Sequence, residues 1–174
     1  KIETQIVKPT IEGLKKDNLP YKGFVFIGLI KVGNEPKVIE YNVRMGDPET
    51  EVVIPRIKND FLAILQAVDE GRLDEIDLEI DPSVAATVVA VSGGYPEAYE
   101  KEKRITGLDE QKDKMIFHAG TKQEGDDIKT SGGRVLAVTS FGKDYQEAVE
   151  ASYKIISKIN FERINYRKDI GFDL

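Results

Sequence analysis

Cysteine is missing from all 174 residues, which excludes disulfide frameworks, thiolate zinc sites and a cysteine nucleophile together. Histidine is almost as scarce: there is one, His118, too little for a histidine-based metal cluster. Basic runs are missing too. Lysine and arginine number 25 against 31 acids, for a net charge of −6, so nucleic acid and anionic membrane are poor candidate partners. No apolar run approaches the roughly 20 residues that cross a bilayer, and the start lacks the basic-then-apolar order of a signal peptide. A cytoplasmic protein with no membrane partner is the expectation. The chain also lacks an initiating methionine and opens directly in a helix-patterned segment, Lys1-Ile2-Glu3-Thr4-Gln5-Ile6. That opening reads as the middle of something longer.

What is present is ordinary globular material: 40% of the residues are hydrophobic, enough to bury a core in one compact domain or two small lobes. Ile2, Ile6, Val7, Ile11 and Leu14 recur at helical spacing, and Pro9 is expected to kink that helix or divide it. Phe24 to Ile30 is nearly all apolar and reads as a strand buried on both faces, followed by a turn at 32–36 and a hairpin partner from Lys37 to Arg44. In Gly46-Asp47-Pro48-Glu49-Thr50 an aspartate before a proline fits an N-cap and the first position of a short helix. Asn59 or Asp60 caps a second helix with Phe61, Leu62, Ile64, Leu65 and Val68 inward and Gly71 ending it.

Composition shifts to β-rich sequence after Asp81-Pro82, which places a lobe boundary between residues 81 and 82. Beyond it, strands are expected at 85–91, Met115 to His118 and Val135 to Thr139. Asp144 and Glu147 form a capping-box pattern for a last helix carrying Tyr145, Val149, Tyr153, Ile156 and Ile159. The fold class is therefore α+β.

One strand carries candidate chemistry. Along Val38-Ile39-Glu40-Tyr41-Asn42-Val43-Arg44, alternation puts Glu40, Asn42 and Arg44 on one face. A carboxylate and an amide carbonyl suit a hard ion such as magnesium, which takes few protein ligands and completes its octahedron with phosphate and water. The arginine adds a fixed cation suited to phosphate. On spacing alone, a merely solvated sheet face explains the pattern equally well.

The run continues through Met45-Gly46-Asp47-Pro48-Glu49-Thr50-Glu51, and the stretch from Val38 to Glu51 resembles the signature of phosphoribosylamine-glycine ligases, also called glycinamide ribonucleotide synthetases, within the ATP-grasp ligases. Tyr21-Lys22-Gly23, Gly94-Tyr95-Pro96, Phe117-His118-Ala119-Gly120-Thr121, 132–139 and 166–171 resemble the family's sequence in the same order, so the likeness extends over essentially the whole chain. Met45 departs from the more usual phenylalanine or leucine, an apolar exchange that preserves packing. The resemblance implies residues 1–81 as the distal part of an ATP-grasp domain, an antiparallel hairpin plus helices, and 82–174 as a small mixed-sheet C-terminal lobe. It implies Glu40 and Asn42 as ligands of Mg2+ (or Mn2+) and Arg44 as a catalytic group steadying phosphate. ATP would be the co-substrate, and Asp47, Pro48 and Glu49 would lie beside the glycine and phosphoribosylamine sites. The reaction implied makes glycyl phosphate, which the amine of phosphoribosylamine attacks to give glycinamide ribonucleotide, ADP and phosphate, an early step of purine synthesis. Such transfer relies on positioning and charge neutralisation, with little need for a protein nucleophile.

Other residues read as structural. Asp47, Pro48 and Glu49 have helix capping as their main local role, His118 ends an apolar strand, Gly132-Gly133 makes a turn, and Tyr145 and Tyr153 pack in a core. No glycine-rich lid with a nearby lysine is visible. The chain is thus expected to be a C-terminal fragment needing the N-terminal part of the same protein, and inactive by itself. Two rivals stand beside this reading: a noncatalytic interaction module that keeps the fold, and a sibling ATP-grasp ligase acting on another amine.

Overall fold

The computed structural model describes residues 1–172. The chain divides into two compact units, one of Lys1–Asp47 with Ile57–Glu79 and the other of Pro48–Arg56 with the chain from Ile80 onward. The short segment Pro48–Arg56 thus packs with the second unit, whereas the linear division at 81/82 keeps it with the first.

In the first unit, a π-helical turn over Glu3–Val7 runs directly into α1, Lys8–Lys16. Pro9 falls in the first turn of α1, where its missing N–H costs least, and the wide turn before it replaces the break expected there. Strands β1 (Phe26–Val32) and β2 (Glu35–Asn42) pair antiparallel around a turn at Gly33, whose φ is +60°. The expectation that β1 is buried on both faces fails. Among the described residues its only strand partner is β2, and its first half is half-buried while Ile30 and Val32 lie exposed. The β2 strand also stops two residues earlier than expected, at Asn42. The later helix, α3 (Phe61–Glu70), is capped by Asp60, whose carboxylate accepts from Leu62 N (2.9 Å) and Ala63 N (3.4 Å), and ends at left-handed Gly71. Only Ile64 and Ala67 are buried on it. Leu62, expected inward, is 62% exposed.

The second unit is an antiparallel sheet of β3 (Val84–Val91), β7 (Arg134–Gly142) and β4 (Met115–His118), in the order β3-β7-β4. Helix α4 (Tyr145–Ile156) packs on its two longer strands. The start of the helix is closed reciprocally: Asp144 accepts from Glu147 N, and the Glu147 carboxylate accepts from Lys143 N, each at 2.9 Å. Val88, Ala90, Leu136, Val138 and Ile156 are sealed in this core, and Ile159, past the end of the helix, joins them. Tyr153 packs against the same cluster, and its hydroxyl accepts from Ile170 N at 3.1 Å. A second hairpin, β5 (Thr121–Glu124) with β6 (Asp127–Thr130), was not anticipated from the sequence. The short helix α2 (Thr50–Val53) belongs here too, and its N-cap is Glu49 rather than Asp47. The Glu49 carbonyl receives Val52 N and Val53 N at 3.0 Å each, while Asp47 and Pro48 form the turn ahead of it.

Candidate functional site

The β2 strand brings two of the expected site residues together. Glu40 and Asn42 are two apart and share a face, and Asn42 Nδ2 donates to Glu40 Oε1 at 2.9 Å. Glu40 is exposed and Asn42 half-buried. The amide nitrogen is thus the atom turned to the carboxylate, and the Asn42 carbonyl oxygen and the Glu40 carboxylate are the oxygen donors this face has to offer. Among the described residues no three acidic or histidine side chains converge as a cage. A cation held here would therefore take most of its ligands from substrate phosphate and water, which is the habit of magnesium.

Arg44 follows outside the ladder. It lies past the end of β2, in a bend, so strand alternation does not set its direction, and its NH1 donates to the Met45 carbonyl at 3.0 Å. Where the chain leaves the ladder it is pinned by Tyr21, whose hydroxyl lies 2.8 Å from the Val43 carbonyl and 2.9 Å from that of Phe24. On the other face of β2, the Tyr41 hydroxyl meets Thr10 Oγ1 of α1 at 3.0 Å, which fixes the strand against the helix.

Asp47 and Glu49 are exposed. Pro48 lines a cavity of about 450 Å³ in the second unit, together with Thr87, Val89, Arg134, Asn165 and Arg167. Arg167 is held side-on by Asp169, Nε to Oδ1 at 2.9 Å and NH2 to Oδ2 at 3.0 Å. That pairing keeps the Asp169 carboxyl below its usual range. Two arginines thus line a mostly apolar cavity, the charge of one of them, Arg167, being met by Asp169. Neither arginine stands out in the sequence, because they lie far apart in the chain and only the fold brings both to this cavity. His118, set aside as structural, is exposed and shares a 3.0 Å hydrogen bond with Thr121.

Residues 85–173 match the family model of the phosphoribosylglycinamide synthetase C domain, and residues 1–50 match that of the synthetase's ATP-grasp (A) domain. The first match alone covers half the chain. The chain belongs to the phosphoribosylglycinamide synthetase family. Synthetase relatives include a phosphoribosylamine--glycine ligase of Caldanaerobacter subterraneus subsp. tengcongensis, 46% identical over 98% of this chain and 41% of that protein. Another, of Chlorobaculum tepidum, is 42% identical over 98% of this chain and 41% of its own length. A bifunctional purine biosynthetic protein of Dictyostelium discoideum is 46% identical over 98% of this chain and 22% of its own. The chain thus spans about two fifths of the length of the single-function synthetases it matches. The crystal structure of a phosphoribosylamine--glycine ligase from Thermotoga maritima superposes with a TM-score of 0.79 at 35% identity, over 92% of this chain and 40% of that one. Urea amidolyase of Kluyveromyces lactis, at 11% identity and a TM-score of 0.58, shares the fold alone.

Proposed function

We propose that this chain carries the metal-binding strand of a phosphoribosylamine-glycine ligase, and that the whole protein joins glycine to 5-phosphoribosylamine at the expense of ATP. The products are glycinamide ribonucleotide, ADP and phosphate. One observation carries the reading: Glu40 and Asn42 lie side by side on one strand, Asn42 Nδ2 donating to Glu40 Oε1 at 2.9 Å, inside a stretch matched by the family's ATP-grasp model. On this reading both residues hold Mg2+ (or Mn2+), and the ion when bound supplies charge neutralisation on the ATP phosphates. Arg44 adds positive charge at the strand's end. Asp47, Pro48 and Glu49 border the substrates, and the cavity flanked by Pro48, Arg134 and Arg167 suits the phosphorylated one. On this reading residues 1–81 are the distal part of the ATP-grasp domain and 82–174 the C-terminal lobe, a division supported by family-model matches over 1–50 and 85–173. The setting proposed is cytoplasmic purine synthesis; among the described residues no helix is long and apolar enough to cross a membrane.

The present chain by itself is expected to bind nucleotide only weakly, since two protein ligands hold the ion mainly through phosphates. In the full-length protein, Glu40→Gln keeps size and packing while removing the charge. Phosphate release with glycine and phosphoribosylamine should then fall by about 100-fold or more, with an unchanged thermal midpoint. Turnover at the unaltered rate would end the proposal.

A further inference from the structure

We infer that Gly28 is a positioning residue for the Glu40 carboxylate: it is glycine so that the side chain opposite can lie across β1 and turn toward Asn42. The inference rests on the reading of Glu40 as a metal ligand. In the antiparallel register Gly28 pairs with Glu40, and the next pair is Leu29 with Val38, so Ile39 is the extra residue of a bulge at this point. Bulges of this kind re-aim side chains and are common beside functional sites. A Cβ built on Gly28 falls 3.0 Å from Glu40 Cγ, while the backbone N and O of Glu40 stay at 3.7 Å. The crowding is thus directed at the side chain of Glu40 and not at its backbone.

The other usual reasons for glycine do not apply. Gly28 is not among the glycines with positive φ, so an alanine meets no conformational obstacle, and it lies inside a strand rather than in a turn. Glycine in a strand interior weakens the strand, which sets up an opposition that a test can read. If Gly28 served the backbone, the damage from replacing it would persist whatever stands opposite; if it makes room for Glu40, replacing it should loosen the metal, and the damage should be relieved when the Glu40 side chain is shortened.

The test uses the full-length protein with Mn2+ as probe in the presence of ADP, its binding followed by electron paramagnetic resonance and its thermal midpoint by calorimetry. Glu40→Gln should abolish the bound-ion signal. Gly28→Ala should raise the Mn2+ dissociation constant about 10-fold or more, the size expected when a group that orients a ligand is disturbed, without lowering the midpoint. In a Glu40→Asp background, whose shorter side chain withdraws from strand β1, Gly28→Ala should cost much less, giving a coupling between the two sites. Wild-type affinity in Gly28→Ala, with Glu40→Gln unable to bind, overturns the inference and leaves the functional reading standing. Undiminished binding by Glu40→Gln overturns both. Should Gly28→Ala fail to fold, it is combined with Glu40→Ala: recovery of folding supports crowding against Glu40, and continued failure rejects it.

Discussion

Gly133 shows how tightly single residues are specified in the second unit. A Cβ there would run into the Tyr95 ring, and the neighbouring backbone is fixed by Ser92, whose N donates to the Gly133 carbonyl and whose hydroxyl donates to that of Gly132, both at 2.8 Å. Gly133→Ala should destabilise the fold by about 1–3 kcal/mol through overpacking, read from urea unfolding, and Tyr95→Ala in the same chain should return part of that loss. At this scale the sequence was readable where a local rule applied. Strand alternation was enough to place Glu40 and Asn42 together. It was not enough for Arg44, because the ladder ends before it, nor for Gly28, whose role depends on a bulge and a pairing register that no local pattern encodes.

Among the elements, those with caps and strong periodicity were legible. Asp60 and Asp144 each stand before a helix and accept N–H groups that would otherwise go unpaired; Asp60→Ala is expected to lower stability by about 1 kcal/mol, visible as a lower denaturation midpoint, with Asp60→Asn close to neutral. The hairpin β5–β6 was missed for a physical reason. Its sequence, Thr-Lys-Gln-Glu-Gly-Asp-Asp-Ile-Lys-Thr, has almost no apolar residues to alternate, and what joins its strands includes the ion pair Lys129–Glu124 at 3.0 Å around a left-handed Gly125. Strand β1 shows the opposite case. A continuous apolar run suggests a doubly covered strand, yet burial depends on what lies against it, and composition carries no record of that. Helix α2 was found in the right place with the wrong cap, since the turn at Asp47-Pro48 delays its first helical residue to Thr50.

At the scale of the whole molecule, many charges stand in surface ion pairs, and several of these shape its response to pH. Salt-linked lysines or arginine hold Glu35, Glu100, Asp113, Glu124 and Asp169 below their ordinary values near 4.5 for glutamate and 3.8 for aspartate. Each depressed carboxyl favours the fold above its unfolded pKa, and that contribution disappears as pH falls through the lowered folded value. Lys103 and Lys122 are raised by their glutamate partners, so their contribution holds through neutral pH and is lost as pH climbs past the elevated value. Urea midpoints should therefore be level around neutrality and decline below about pH 4.5, by small amounts that added salt reduces further because the pairs are at the surface. The division into two units has a consequence for recombination. The backbone passes between them at residues 47/48, 56/57 and 79/80, and in the second unit the hydroxyl of Thr139 donates to the Glu51 carbonyl at 2.9 Å. A chimera of two homologues joined once at residue 80 would marry the α2 of one parent to the sheet of the other; a clean exchange of that unit requires three crossovers.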